Sequence, residues 1–317
     1  MTRAIEIRDL AKNYGNVEAL CGISFDVASG ELFGLLGPNG AGKSTLIRIV
    51  STLERAEAGI VRVGGVEAGH GDAAIRAQLG VALQETGLDP LMSGYEILML
   101  TAHLYGLSST QARQRTDELL SRFRLTDVAR RLVRTYSGGM RRRLDLAVAL
   151  VHEPSVIVLD EPTTGLDPTN RMALWDLLRD LVKEDRKTLL LTTQYLEEAD
   201  ALCDRVMFIN HGRSAAEGTP DDLKRAMGYS LIQFTVEGAD AEALQSALRR
   251  AELSAQFQSG HIQILSSEPE VDVLRLDSVA SAMGARLRHL EIKPPSLDDV
   301  FVSLTANDRE GVPSLGH

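Results

Sequence analysis

Apolar residues recur at two spacings along this chain, and the change between them marks its parts. At residues 4–10 and 23–27 apolar and polar positions alternate, the two-residue period of half-buried strands, which predicts an antiparallel hairpin or small sheet. Short apolar runs follow at 32–36, 59–63, 79–83, 156–160, 189–193 and 206–210. Interleaved with helical segments, such runs predict a parallel sheet covered on both faces. Between 84 and 136 the period lengthens, and 95–107 and 110–123 read as amphipathic helices. A helical insertion is therefore expected over about residues 85–145.

Thr219 as cap and Pro220 at the first helical position predict a short helix that closes a first domain at 1–228. The remainder reads as strand 230–236, helix 239–251, strands 254–258 and 262–266, helix 271–283 and strand 286–292. After Pro294-Pro295 comes a last helix at 296–304. This βαββαβ order predicts a small α+β, ferredoxin-like domain at 229–306 that serves as an accessory or dimerisation unit. Residues 307–317, rich in Gly, Pro and Ser, predict a frayed tail.

Composition narrows the setting. With 317 residues, 44% hydrophobic and 25% charged, the chain can build one large or two modest cores. A net charge of −10 excludes nucleic acid as the expected partner, because duplex binding needs a basic face. Arg141-Arg142-Arg143 is the local exception, and it reads as a solvated helix face. Cys21 and Cys203 are too few and too distant for a disulfide framework or zinc site, which fits a reducing cytoplasm. The sequence begins directly in strand alternation, without the apolar core of a signal peptide. No segment approaches the ~20 apolar residues of a spanning helix, so any work at a membrane would need another polypeptide to cross it.

Two half-motifs carry chemistry. Gly37-Pro38-Asn39-Gly40-Ala41-Gly42-Lys43-Ser44-Thr45 fits the phosphate-loop pattern between the strand at 32–36 and the helical run at 45–53. Its glycines let successive N–H groups face the β- and γ-phosphates of ATP, Lys43 neutralises phosphate oxygens and Ser44 ligates Mg2+. Downstream, the apolar run from Val156 ends in Asp160-Glu161. Two adjacent acids there divide the work: Asp160 holds Mg2+ through water, and Glu161 polarises the attacking water. Ser137-Gly138-Gly139, ahead of a helix from Met140, is a second anion-binding helix start with neither lysine nor magnesium ligand of its own.

With these motifs together the chain resembles, over nearly its whole length, the nucleotide-binding subunit of an ABC transporter. The resemblance implies a head-to-tail pair with a second copy, in which Ser137, Gly138 and Gly139 close over the other copy's ATP. It further implies that Tyr14 stacks on adenine, that Gln84 meets Mg2+ and the water, and that Asp167 lies in the loop crossing the interface. Gln194 stands where most of the family place a switch histidine. A glutamine still donates a hydrogen bond to the γ-phosphate, yet it does not titrate near pH 7. Gln194, Tyr136 before the serine-glycine motif, and Pro295-Ser296-Leu297-Asp298-Asp299-Val300-Phe301 resemble the daunorubicin/doxorubicin-resistance branch.

That branch implies a peripheral ATPase on the cytoplasmic face of the membrane, paired with a separate ABC-2-type permease that exports drugs or other hydrophobic compounds. The helix at 95–107, just after Gln84, is the expected docking surface. Lipid and polysaccharide exporters share parts of the pattern. A soluble ATPase of chromosomes or ribosomes is a distant alternative: no long heptad insertion separates Thr45 from Ser137, and one phosphate loop is present.

Overall fold

The computed structural model describes residues 2–84, 86–238, 241–251, 253–258 and 261–310. Contacts divide the chain into two units, Met1–Thr219 and Pro220–His317.

Alternation decides the outer sheet of the first unit. β1 (Arg3–Tyr14) and β2 (Val17–Ala28) form a hairpin that buries Ile5, Ile7, Leu10, Ile23, Phe25 and Val27. β3 (Leu32–Leu36) is buried at every position and leads through the phosphate loop into α1 (Lys43–Val50). β4 (Ala58–Val63) returns to β1, antiparallel, with Ile5 opposite Val63 and Ile7 opposite Val61. β5 (Val66–Glu67) completes the order β2-β1-β4-β5. The expectation that 59–63 joins the parallel sheet is thus corrected. Val61 and Val63 are buried while Ile60 is exposed, the alternation of a sheet covered on one face.

α2 (Asp72–Gln78) leads to β6 (Leu79–Ala82). α3 (Gly94–Leu104), α4 (Ser109–Arg122) and α5 (Gly138–Ala149) occupy the stretch before β7 (Val156–Asp160). Reciprocal capping boxes start two of these helices, Ser93 with Glu96 and Ser108 with Gln111. Then come α6 (Pro168–Lys183), β8 (Thr188–Thr193), α7 (Leu196–Leu202), β9 (Arg205–Asn210) and β10 (Arg213–Gly218).

The inner sheet runs β10-β9-β3-β8-β7-β6, and every pairing is parallel except that of β10 with β9. Every residue of β7 and β8 is buried, as helices on both faces require. Phe25 of the outer sheet stacks on Phe33 of the inner one, ring centres 5.1 Å apart, joining the sheets across one core. Parallel pairing brings the carboxyl ends of β3, β7 and β8 to one edge, with Leu36 opposite Thr193 and Asp160 opposite Thr192. Open α/β sheets bind ligands at this edge.

The second unit opens with α8 (Pro220–Ala226), Pro220 standing at its first position as the sequence suggests. Ser303 Oγ donates to Met227 Sδ at 3.6 Å, and α8 groups with this unit rather than ending the first. β11 (Ser230–Glu237), α9 (Ala241–Arg250), β12 (Ala255–Gln258), β13 (His261–Ser266), α10 (Pro269–Ala282) and β14 (Arg286–Lys293) follow. Their strands form an antiparallel sheet in the order β12-β13-β11-β14, and Ile232, Phe234, Ile262 and Ile264 pack with Leu244, Leu248 and Leu276. α11 (Leu297–Glu310) runs past the expected end at 304 into the segment read as a tail. Residues 304–310 contain no glycine or proline to stop it before Gly311 and Pro313. The rest of that segment, 311–317, lies outside the described residues. Among the described residues no helix is long and apolar enough to cross a membrane.

Candidate nucleotide site

The phosphate loop is held so closely that two of its glycines admit no side chain. A Cβ on Gly37 would meet the Ile209 carbonyl oxygen at 2.2 Å; one on Gly42, at φ 108°, would meet that of Ala19 at 2.5 Å. Gly42 is also the N-cap of α1 and offers no side chain to its first turn, so those N–H groups suit an anion. Lys43 begins the helix, and its Nζ donates to Gly37 O at 2.8 Å and Pro38 O at 3.0 Å. An ammonium has three donors, and the loop engages two. Burial pushes the Lys43 pKa down, while the charges of Glu161 and then Asp160 pull it up.

On the neighbouring strands the two acids are placed differently. Asp160 is buried, and its Oδ1 accepts from Thr192 Oγ1 at 2.6 Å. Glu161 turns out of the sheet at φ 47°, a conformation uncommon for a residue with a side chain. Its N–H donates to both Thr192 O and Thr192 Oγ1, which fixes the turn. Glu161 Oε2 then accepts from Gln84 Nε2 at 3.2 Å and from Thr164 Oγ1 at 3.1 Å.

One cavity of about 450 Å³ joins these groups. Of the residues singled out in the sequence it gathers Tyr14, Asn39, Gly40, Gly42, Lys43, Ser44, Thr45, Gln84, Glu161 and Gln194. Gly37, Pro38, Ala41 and Asp160 do not line it. Tyr14 keeps 44% of its surface exposed at the rim. Its hydroxyl donates to Glu54, and Lys12 Nζ lies 5.4 Å from its ring centre. Burial, then the Glu54 carboxylate, raises the pKa of that phenol.

Ser137, Gly138, Gly139 and Asp167 do not line this cavity. Ser137 caps α5, its Oγ accepting from Met140 N–H at 3.2 Å. Gly139 abuts Asn170, where a Cβ would come within 2.8 Å. Asn170 donates its N–H to Asp167 Oδ1 at 3.0 Å, and these donors hold the Asp167 carboxyl below its ordinary value. Tyr136 is buried and donates to Val128 O at 2.8 Å, so the branch tyrosine acts inside the helical region.

Sequence reasoning missed Thr164 and Thr192, which hold the two acids, and it misread Arg142. Arg142 is buried, against its assignment to a solvated face: it pairs with Asp145 and donates to the carbonyls of Leu83, Asp160 and Pro162. Arg141 is the solvated member of the triplet. The available signal was Asp145, an acid one turn later on an otherwise apolar helix face.

Two acids ending a parallel strand beside a phosphate loop, with a glutamine closing on the second acid, define a P-loop nucleoside triphosphatase. Residues 20–164 match the ABC transporter family. The chain is 43% identical to the daunorubicin resistance ATP-binding protein DrrA3 of Streptomyces coeruleorubidus, over 96% of this chain and 97% of that protein. It is 38% identical to the Nod factor export ATP-binding protein I of Rhizobium sp. (strain N33), over 97% and 98% respectively. Among solved structures, the dimeric post-hydrolysis state of the ATP-binding cassette MJ0796 bound to ADP and Pi aligns with a TM-score of 0.63 at 26% identity. That alignment covers 68% of this chain and 98% of the other. The protein belongs to the ATP-binding proteins of ABC transporters, in the branch of the daunorubicin/doxorubicin resistance ATP-binding proteins. It is a nucleotide-binding ATPase.

Proposed function

We propose that this chain is the ATP-hydrolysing subunit of an exporter, bound to the cytoplasmic face of the membrane through a separate ABC-2-type permease. The contact that carries the reading is Gln84 Nε2 on Glu161 Oε2 at the mouth of the phosphate-loop cavity. It supports a carboxylate beside the position a water would take to attack the γ-phosphate, within reach of that water's proton. In this reading Lys43 and the loop N–H groups hold the phosphates, Tyr14 stacks on the adenine and Glu161 orients the water. Gln194, which lines the same cavity, donates to the γ-phosphate. Ser44, Gln84 and, through water, Asp160 are the oxygen donors for Mg2+, a set that suits a cation keeping several waters and phosphate oxygens. When bound there, such a cation would supply neutralisation of charge on the phosphoryl oxygens.

Ser137, Gly138 and Gly139 start a helix away from this cavity, which supports their use on the ATP of a second copy in a head-to-tail pair. Asp167, capping α6 beside Gly139, belongs to the same interface. Leu91, Leu100 and Leu104 are exposed on and before α3, and they support that helix as the seat of the permease.

The cargo we assign is a hydrophobic drug or antibiotic, from likeness to the daunorubicin resistance protein. The likeness to the Nod factor export protein favours, as a second reading, a secreted metabolite, lipid or polysaccharide. Lys43→Ala should abolish ATP binding and Glu161→Gln should retain it while losing most phosphate release. Undiminished turnover in either removes the assignment of roles. Drug sensitivity of cells lacking the chain supports the first cargo; retention of an internal metabolite without such sensitivity supports the second.

A further inference from the structure

Arg142 carries a permanent charge into a position where 6% of its surface remains exposed. Four of its donor contacts are made: Nε to Pro162 O at 2.9 Å, Nη2 to Asp160 O at 2.8 Å, and Nη1 to Leu83 O at 2.5 Å and Asp145 Oδ2 at 3.2 Å. Three of these acceptors are backbone carbonyls, and their identity matters. Asp160 and Pro162 stand on either side of Glu161; Leu83 precedes Gln84. The two residues that meet over the cavity are therefore presented by backbone that one guanidinium holds. Glu161 has φ 47°, and such a conformation persists where its surroundings over-determine it. Thr192 fixes its N–H, and Arg142 fixes the carbonyls before and after it. No lysine reproduces this grip, since three carbonyls around a plane match a rigid fork and not a point charge.

We propose that Arg142 is a positioning residue for ATP hydrolysis: from the helix that begins at Ser137 it clamps the backbone on both sides of Glu161 and ahead of Gln84. Asp145, one turn on, neutralises the clamp. Because α5 is one continuous helix, its end at Ser137-Gly138-Gly139 and the Glu161–Gln84 pair are mechanically joined through this side chain. The inference rests on the reading of Glu161 as the water-orienting base.

The test uses the full chain with ATP and Mg2+, and compares Arg142→Lys, the Arg142→Met/Asp145→Leu double variant and Glu161→Gln. Replacing both partners by apolar groups of similar volume leaves no buried unpaired charge, so the double variant separates folding from positioning. Arg142→Lys and the double variant should keep the Kd for ATP and the KM within about twofold while kcat falls by about tenfold or more; the double variant stays folded with a modestly lower Tm, because three carbonyls lose their donor. Parent kcat in either Arg142 variant overturns the inference. So does a parallel loss of ATP binding, kcat and Tm, which marks a structural staple. If Glu161→Gln abolishes turnover while both Arg142 variants stay active, positioning alone fails. If Glu161→Gln keeps parent turnover, the role of Glu161 fails and positioning with it.

Discussion

Gln84 and Glu161, which follow the neighbouring parallel strands β6 and β7, meet beyond the strand ends, with Gln84 Nε2 donating to Glu161 Oε2 at 3.2 Å. A donor on this carboxylate restricts its rotation, and Thr164 Oγ1 donates to the same oxygen at 3.1 Å. Gln84→Ala removes one of the two donors on Oε2 but keeps the carboxylate, so kcat should fall by about tenfold with little change in ATP affinity. Phosphate release at saturating ATP and a titration with a fluorescent ATP analogue measure the two. An unchanged kcat would mean that the contact does not orient the base.

Two glycines should respond in opposite ways. At Gly42 an added Cβ meets the Ala19 carbonyl at 2.5 Å with φ at 108°, so Gly42→Ala should destabilise the fold by about 1–3 kcal/mol and weaken nucleotide binding. At Gly138 an added Cβ meets nothing within 4 Å, on a helix where alanine is the better former. Gly138→Ala should therefore keep or raise Tm while turnover falls, because in the proposed head-to-tail pair the methyl faces a second copy's nucleotide. Melting curves with ATPase rates decide both. Loss of stability in Gly138→Ala would show that the motif packs within its own chain.

The sequence made the nucleotide site legible because its parts are local. A phosphate loop must have glycine where backbone approaches backbone, and Gly37 and Gly42 do. Asp160 and Glu161 end a strand that is apolar throughout. What escaped was set by partners distant in sequence. β4 lies beside β1 rather than in the parallel sheet, a choice visible only in which face of Ile60 and Val61 is covered. Arg142 looks like its neighbour Arg141 in sequence, and three carbonyls from two other strand ends distinguish it. The end of α11 was missed for a simpler reason, since nothing between Leu304 and Glu310 stops a helix.

Gln194 lines the cavity on an exposed turn after β8, and the proposed function gives it a hydrogen bond to the γ-phosphate. An imidazole titrates near ~6.5 and an amide does not. Gln194→His should therefore add an inflection between about pH 6 and 7 to the rate profile, absent from the ratio of parent to any non-titrating variant. Rates of Gln194→His, Gln194→Ala and the parent from pH 5.5 to 8.5 test this. Superimposable profiles would place residue 194 outside the reacting groups.

Glu198 has none of its surface exposed, and its Oε1 accepts from Trp175 Nε1 at 3.0 Å. Burial pushes its carboxyl above the ordinary 4.5, against smaller downward pulls from Thr193, Trp175, Thr163 and Arg171. A carboxyl raised in this way holds its proton better in the folded chain than in the unfolded one. Its contribution favours folding below pH 4.5, and is lost as pH rises through the raised value. Glutamine keeps the acceptor for Trp175 and never ionises. Relative to Glu198→Gln, the parent should therefore lose stability as pH climbs from about 4.5, then level off. Trp175 is the chain's single tryptophan, so its fluorescence reports urea midpoints for both proteins from pH 4 to 8. A stability difference that stays constant with pH would leave Glu198 at its ordinary pKa. A parent that gains stability over the variant with rising pH would show that Arg171 holds the carboxylate ionised despite its burial.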